Sequence, residues 1–407
     1  MSQLLVPVQL ASNERATYDR PYGDAERKVV SIAGFEAAKA EIAAWPGYLP
    51  TPLVRMFGLG RRLGLSELHY KDEGHRFGLA SFKALGGSYA VLAALRMRLE
   101  AAGRVPFPGT AAIIAGESRD LIASVTIATA TDGNHGKSVA WGASTFGCRC
   151  KIYLHEHVSA EREHEIARFG AEIVRVPGGY DDAVAACARD SLANGWALVA
   201  DTSDDPDAVI PSLVMQGYTL IADEILTQLD GVAPTHLFVP AGVGGLAAAL
   251  AGHFWERLGP ARPRIIVVEP QRADCVFRSI LAGVPTKVPG STETVMACLA
   301  AGSVSAPAWT IMQHVVDDVL ALAEEAAPLA MRMLAQGVDG DPPLIAGESG
   351  CAATAGVMAA AGNPILCATL GLSENARVVV IGSEGATDGL AFERIVGRSA
   401  EMVINGR

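Results

Sequence analysis

Residues 236–254 read HLFVPAGVGGLAAALAGHF, and the run from Leu237 to Gly252 carries no charge. Such a run imitates a membrane span, yet Pro240 and the glycines at 242, 244 and 245 break it near its middle. His236–Val239 suits a buried strand and the Ala-rich residues after the glycines suit a helix, so the stretch reads as strand, loop and helix. The same alternation recurs outward in both directions. Strands are expected at 68–71, 124–128, 151–154, 172–176, 198–200, 265–268 and 377–381, most of them followed by a helical stretch. The helix expected over 82–101 places Leu85, Tyr89, Leu92 and Leu95 at three- and four-residue spacing, and 160–169 and 181–193 read the same way. The fold class is therefore α/β, with parallel sheets covered by helices.

The 407 residues, 50% hydrophobic, 6% aromatic and with 33 Lys+Arg against 44 Asp+Glu, have an ordinary globular composition. That excludes a disordered or collagen-like chain, and at roughly 150 residues per domain it predicts two or three domains. Residues 86–205 hold four strand–helix repeats, which reads as a small domain inserted into a larger one made of 1–85 and 206–407. The net charge of −11 repels nucleic acid and anionic membranes, so any bound phosphate must be gripped locally by backbone N–H groups. A small-molecule enzyme is expected, with neither nucleic acid nor membrane as partner.

Seven scattered cysteines without a C-x-x-C pair fit reduced thiols in a cytoplasmic protein. Cys275 and Cys298 are a pair whose meeting only a structure decides. The first thirty residues hold no apolar core long enough for a signal peptide, and residues 1–24 carry no recognisable function. The segment 104–121 begins with Pro and Gly, and its first half reads as a surface connection that could border the cleft.

Several near-motifs are set aside. Gly58-Leu-Gly60-Arg-Arg-Leu-Gly64 is one residue too long for a dinucleotide fingerprint, and Gly347-Glu-Ser-Gly350 lacks nucleophile-elbow spacing. His155, His157 and His164 fit no zinc signature, so no metal site is expected.

Four stretches carry chemistry. In Ser81-Phe82-Lys83, the lysine sits where a helix N-terminus disfavours a cation, which would lower its pKa and suit it to join an aldehyde cofactor. Read alone it is more simply a solvent-exposed lysine near a helix cap. Thr131-Asp132-Gly133-Asn134-His135-Gly136 follows a strand and opens a helix, either an anion or ring-oxygen site or an ordinary turn. Gly242-Val243-Gly244-Gly245-Leu246 fits a phosphate cradle and, as well, a plain strand-to-helix turn. Ser383, at the end of strand 377–381, offers a hydroxyl able to face a pyridine nitrogen without a carboxylate's charge.

Taken together, these four resemble the fold-type II pyridoxal-phosphate enzymes of the tryptophan synthase β-like superfamily. RFGLASFKALGGSYA (76–90), ATATDGNHGKSVAWGA (128–143), DTS (201–203), VMQGY (214–218), TVMACLAAGSVSAPAW (294–309), AGESG (346–350) and SEGATD (383–388) are similar, more narrowly, to the diaminopropionate ammonia-lyase branch, over residues 45–397. Serine and threonine dehydratases typically carry a serine where this chain has Asp132.

The resemblance implies two open twisted α/β domains with mostly parallel sheets, a site in the cleft between them, pyridoxal 5'-phosphate as cofactor and a homodimer. It assigns Lys83 as the amine joined to the cofactor and Gly242, Val243, Gly244, Gly245 and Leu246 to its phosphate. Asn134 then meets the ring hydroxyl and Ser383 the ring nitrogen. Asp132 becomes the base for D-2,3-diaminopropionate, Lys83 the base for the L isomer, and Asp201 the group that positions or protonates the β-amine. Two carboxylates favour this doubly aminated amino acid over serine or threonine. In DTSDDPD, Asp201 also reads as a turn cap. The competing expectations are a serine/threonine dehydratase or β-replacement enzyme, and a catalytically silent member that binds an amino acid.

Overall fold

The computed structural model describes residues 6–131 and 133–406. Eleven strands lie among them: β1 (Val8–Ser12), β2 (Leu53–Arg55), β3 (Glu67–Asp72), β4 (Thr126–Ala130), β5 (Arg149–His155), β6 (Glu172–Val176), β7 (Ala197–Leu198), β8 (His236–Pro240), β9 (Arg264–Pro270), β10 (Asp318–Leu322) and β11 (Arg377–Gly382). They form a seven-stranded sheet of order β1-β10-β9-β8-β11-β3-β2 and a four-stranded sheet of order β6-β5-β4-β7. In the larger sheet only the edge pairs β1–β10 and β2–β3 are antiparallel, and the smaller sheet is parallel throughout.

The near-continuous apolar runs of β8, β9, β10 and β11 explain the larger sheet's centre. They are buried along their length, as strands covered by helices on both faces must be. The stretch that imitated a membrane span is β8, a glycine turn and the Gly245–Leu258 helix. Among the described residues, Val209–Gln228 is the one single helix long and apolar enough to cross a membrane, and most of it is buried in the core.

The Lys83–Ala101 helix packs between the Val209–Gln228 and Asn134–Phe146 helices, with Leu85, Tyr89, Leu92 and Leu95 all buried. Its two early glycines make that approach possible. A Cβ on Gly86 would collide with the Tyr218 ring and the Val214 carbonyl, and one on Gly87 with the Ser138 hydroxyl. Each glycine costs about 1 kcal/mol of helix propensity, set here against close packing on both sides.

Three strands escape the sequence pattern. β2 is three residues long, β1 lies in the segment to which no function attached, and β10 is followed by Ala/Glu-rich residues that read as helix. The segment 104–121 begins as a largely exposed connection over 104–108 and then holds the Gly109–Ile114 helix and the start of the Arg119–Ser124 helix. Its polar contacts run to Glu41, which accepts from the Thr110 backbone and hydroxyl.

Candidate active site

Neighbouring strands bring the four singled-out stretches to one place. In the larger sheet β8, β11 and β3 lie side by side, and beyond their carboxyl ends stand the glycine turn 242–246, Ser383 and the segment leading to Lys83. In the smaller sheet β4 and β7 are neighbours, and beyond their carboxyl ends come Asn134 and Asp201. Open parallel sheets place ligands at this edge. Asp132 lies outside the described residues.

Lys83 is the first residue of its helix, and the segment before it is held under strain. Phe77 and Ala80 adopt φ of 51° and 58°, left-handed conformations that cost a non-glycine residue on the order of 1 kcal/mol each. Buried Arg76 holds one end, donating to both Glu73 oxygens and both Glu224 oxygens at 2.8–2.9 Å. The other end is tied to the end of β11: Phe82 N–H donates to the Ser383 carbonyl (3.1 Å) and Gly385 N–H to the Ala80 carbonyl (2.9 Å). The lysine and the serine are therefore held together through backbone.

The Lys83 ammonium donates to Asp201 Oδ2 at 2.5 Å, bridging the two sheets. This corrects the expectation of a lowered lysine pKa. Burial does push Lys83 down, but the Asp201 carboxylate outweighs it and holds the amine above the usual lysine range. A helix N-terminus is worth typically 0.3–1 kcal/mol, whereas unit charges about 4 Å apart attract by about 4 kcal/mol at an effective permittivity near 20. Asp201 itself is pushed up by burial but held well below the carboxylate range by His135 and Lys83. His135 Nδ1 lies 3.8 Å from its carboxylate and His135 Nε2 is 2.9 Å from the Val199 carbonyl.

A second bridge between the sheets has no counterpart in the sequence reading. Asn134 Nδ2 donates to Glu384 Oε2 at 2.5 Å and lies 3.4 Å from Cys298 Sγ, while Cys298 and Thr387 also donate to Glu384. Glu384 follows Ser383 directly, so Asn134 and Ser383 share one corner. Gly347 and Gly350 flank Glu348 and Ser349 because a Cβ at either would strike the 384–385 backbone. Ser349 in turn takes the Ser383 hydroxyl on its carbonyl at 3.5 Å. Burial, with Glu384 and Asp388 nearby, pushes the Glu348 carboxyl up to about 7. The motifs SEGATD and AGESG contained these residues, but nothing in their spacing said that they face Asn134.

The glycine turn fits an anion. Gly244 has φ of 92° and a Cβ there would meet Met312 Sδ, while one on Gly242 would press on the Cys298 carbonyl. Among the described residues no side chain caps the 14-residue helix that starts at Gly245, so its first-turn N–H groups are open to an outside acceptor, with the helix dipole behind them. An amine, an amide, a hydroxyl and an N–H cradle around one corner match an aldehyde, a ring hydroxyl, a ring nitrogen and a phosphate. Pyridoxal phosphate carries that set. None of the seven cysteines, Cys275 and Cys298 included, forms a disulfide among the described residues. A separate groove of about 360 Å³ between Arg55, Gly60, Gly64 and Glu374 contains none of these residues.

Comparison with known proteins agrees with that chemistry. The family model described as pyridoxal-phosphate dependent enzyme matches residues 44–384. The diaminopropionate ammonia-lyase of Escherichia coli K12 is 36% identical over 360 residues, 86% of this chain and 88% of the relative. That of Salmonella typhimurium is 38% identical over 367 residues, 87% and 90% of the two chains. The crystal structure of the holo E. coli diaminopropionate ammonia-lyase superposes with a TM-score of 0.87 at 31% identity, covering 96% of this chain and 97% of the other.

Proposed function

The chain belongs to the pyridoxal-phosphate-dependent enzyme family, with the fold-type II architecture, and on that premise we propose that it is a carbon–nitrogen lyase acting on 2,3-diaminopropionate. It eliminates the β-amino group as ammonia, and the remaining three-carbon fragment hydrolyses to pyruvate and a second ammonia. When bound, the cofactor supplies an aldehyde for an amine to join and a ring that draws electrons from the bond to the α-proton.

This chain's residues do the rest. Lys83 would hold the cofactor, the N–H groups of Gly242, Val243, Gly244, Gly245 and Leu246 would take its phosphate, Asn134 its ring hydroxyl and Ser383 its ring nitrogen. Being neutral, Ser383 keeps that nitrogen less firmly protonated than a carboxylate would, which suits elimination over amino transfer. As a free base, Lys83 Nζ takes the α-proton of the L isomer, and Asp132 takes that of the D isomer. Asp201 receives the substrate's second ammonium. Residues 86–205 form the smaller domain and 1–85 with 206–407 the larger. The protein works as a cytoplasmic homodimer, free of membrane.

One observation carries this reading: Asp201 already grips an ammonium at 2.5 Å in the cleft between the sheets. A carboxylate so placed is matched to an amino acid that brings a second cation and mismatched to serine or threonine, which bring a neutral hydroxyl. Ammonia and pyruvate release from both diaminopropionate isomers, serine and threonine tests it. Turnover of at least one diaminopropionate isomer well above the hydroxy amino acids is expected. Faster 2-oxobutyrate release from threonine would make the protein a dehydratase, and cofactor binding without release from any of the four would make it a silent binder.

A further inference from the structure

Tyr218 belongs to the VMQGY stretch, which none of the steps above uses. It lies on the Val209–Gln228 helix and is buried, and among the described residues its hydroxyl has no hydrogen-bond partner. Its ring stands edge-on to Phe82, with centroids 4.7 Å apart, and the Lys83 Nζ is 6.0 Å from its centroid. The charged groups acting on the phenol are Lys83, which favours its ionisation, and Asp201, which opposes it. Burial outweighs both and keeps the phenol protonated far above neutral pH. The chain gives up a side chain at Gly86 to bring this ring in. A buried hydroxyl without a partner costs roughly 1–3 kcal/mol, so a phenylalanine here would be the better structural residue.

Asp201 has one carboxylate and, if the proposed substrate is right, two successive ammonium groups to hold. Once it turns to the substrate, Lys83 needs another partner, and it must be uncharged to act as a base. A phenol is a good donor to an amine lone pair and adds no charge to the site. We propose that Tyr218 is a positioning residue for Lys83: its O–H donates to the uncharged Lys83 nitrogen and holds the amine in place while Asp201 binds the second ammonium. Among the described residues, the other titratable groups facing this nitrogen are Asp201 and Cys298, with His135 acting through Asp201. The substrate half of this inference rests on the proposed function; the contact between Tyr218 and Lys83 does not.

Two measurements on Tyr218→Phe separate these halves. In turnover of the L isomer, kcat is expected to fall about tenfold, the worth of one ordinary hydrogen bond, with KM within about twofold and the acid limb of the kcat profile moved up by about one pH unit. The second measurement needs no turnover. In full-length, cofactor-free Asp201→Asn protein, the pH midpoint for reductive methylation of Lys83 is read by mass spectrometry. Adding Tyr218→Phe is expected to raise that midpoint by about one unit, because the uncharged amine loses its donor. An unmoved or lowered midpoint overturns the proposal, as does a kcat loss with an unshifted pH profile. A raised midpoint in a protein that does not turn over diaminopropionate upholds the Tyr218–Lys83 contact and removes the substrate instead.

Discussion

The Lys83 ammonium and the Asp201 carboxylate meet at 2.5 Å although they come from segments following strands in different sheets. The pair links the two sheets, and in the proposed reaction it is the chemical centre. Replacing Asp201 with Asn keeps the shape and removes the charge. The expected result is a fall in kcat/KM for diaminopropionate on the order of a hundredfold, as for other buried charge pairs that lose a partner. The loss on serine should be much smaller. Steady-state kinetics on both substrates checks this, and equal losses would remove Asp201 from substrate selection.

Asp132→Asn tests the division of labour between bases. Loss of a positioned general base typically costs 10²–10⁴-fold. That loss is expected for the D isomer, with the L isomer, served by Lys83, affected far less. Parallel assays on the two pure isomers read it directly.

Gly244→Ala tests the cradle. At φ of 92° a side chain is strained, by about 1–2 kcal/mol, and its Cβ would strike Met312. The expected outcome is weaker binding of pyridoxal phosphate, measured by titrating the cofactor-free protein and following the visible absorbance. Unchanged affinity would place the phosphate elsewhere.

His253 lies outside this chemistry and predicts a pH effect on stability. It is buried edge-on to Phe35, its two ring nitrogens have no hydrogen-bond partner among the described residues, and burial pushes its pKa down to about 4. The unfolded chain, with a histidine pKa near 6.5, binds the proton more readily than the folded one. Stability from this group is therefore present above about pH 6.5 and lost as pH falls toward about 4, by about 3 kcal/mol. His253→Leu should melt at or above the wild-type temperature at pH 7 and lose less on acidification to pH 5. Calorimetry at the two pH values decides.

Most of the central architecture was legible in the sequence because parallel strands buried on both faces must be apolar throughout and must alternate with helices. β8, β9 and β11 stand out for that reason, and β1 and β2, short strands at the sheet's edges, do not. The stretches around Lys83, Asn134, the glycine turn and Ser383 were legible because each joins a strand end to a helix start or strand terminus in a recognisable phrase. The bridge from Asn134 to Glu384 was not, since it depends on how the loops of the two sheets face each other. The lysine's raised pKa escapes the sequence for the same cause: its own helix is visible there, and the carboxylate 118 positions away that overrides that helix is not.

The proposed reaction requires Lys83 to be the amine that carries the cofactor. Reducing the protein loaded with pyridoxal phosphate by borohydride, digesting it and locating the pyridoxyl group by mass spectrometry tests this most directly. The mass is expected on the peptide containing Lys83, and Lys83→Ala should lose both the label and the visible absorbance. A pyridoxyl group on any other lysine, or a fully absorbing Lys83→Ala protein, would contradict it.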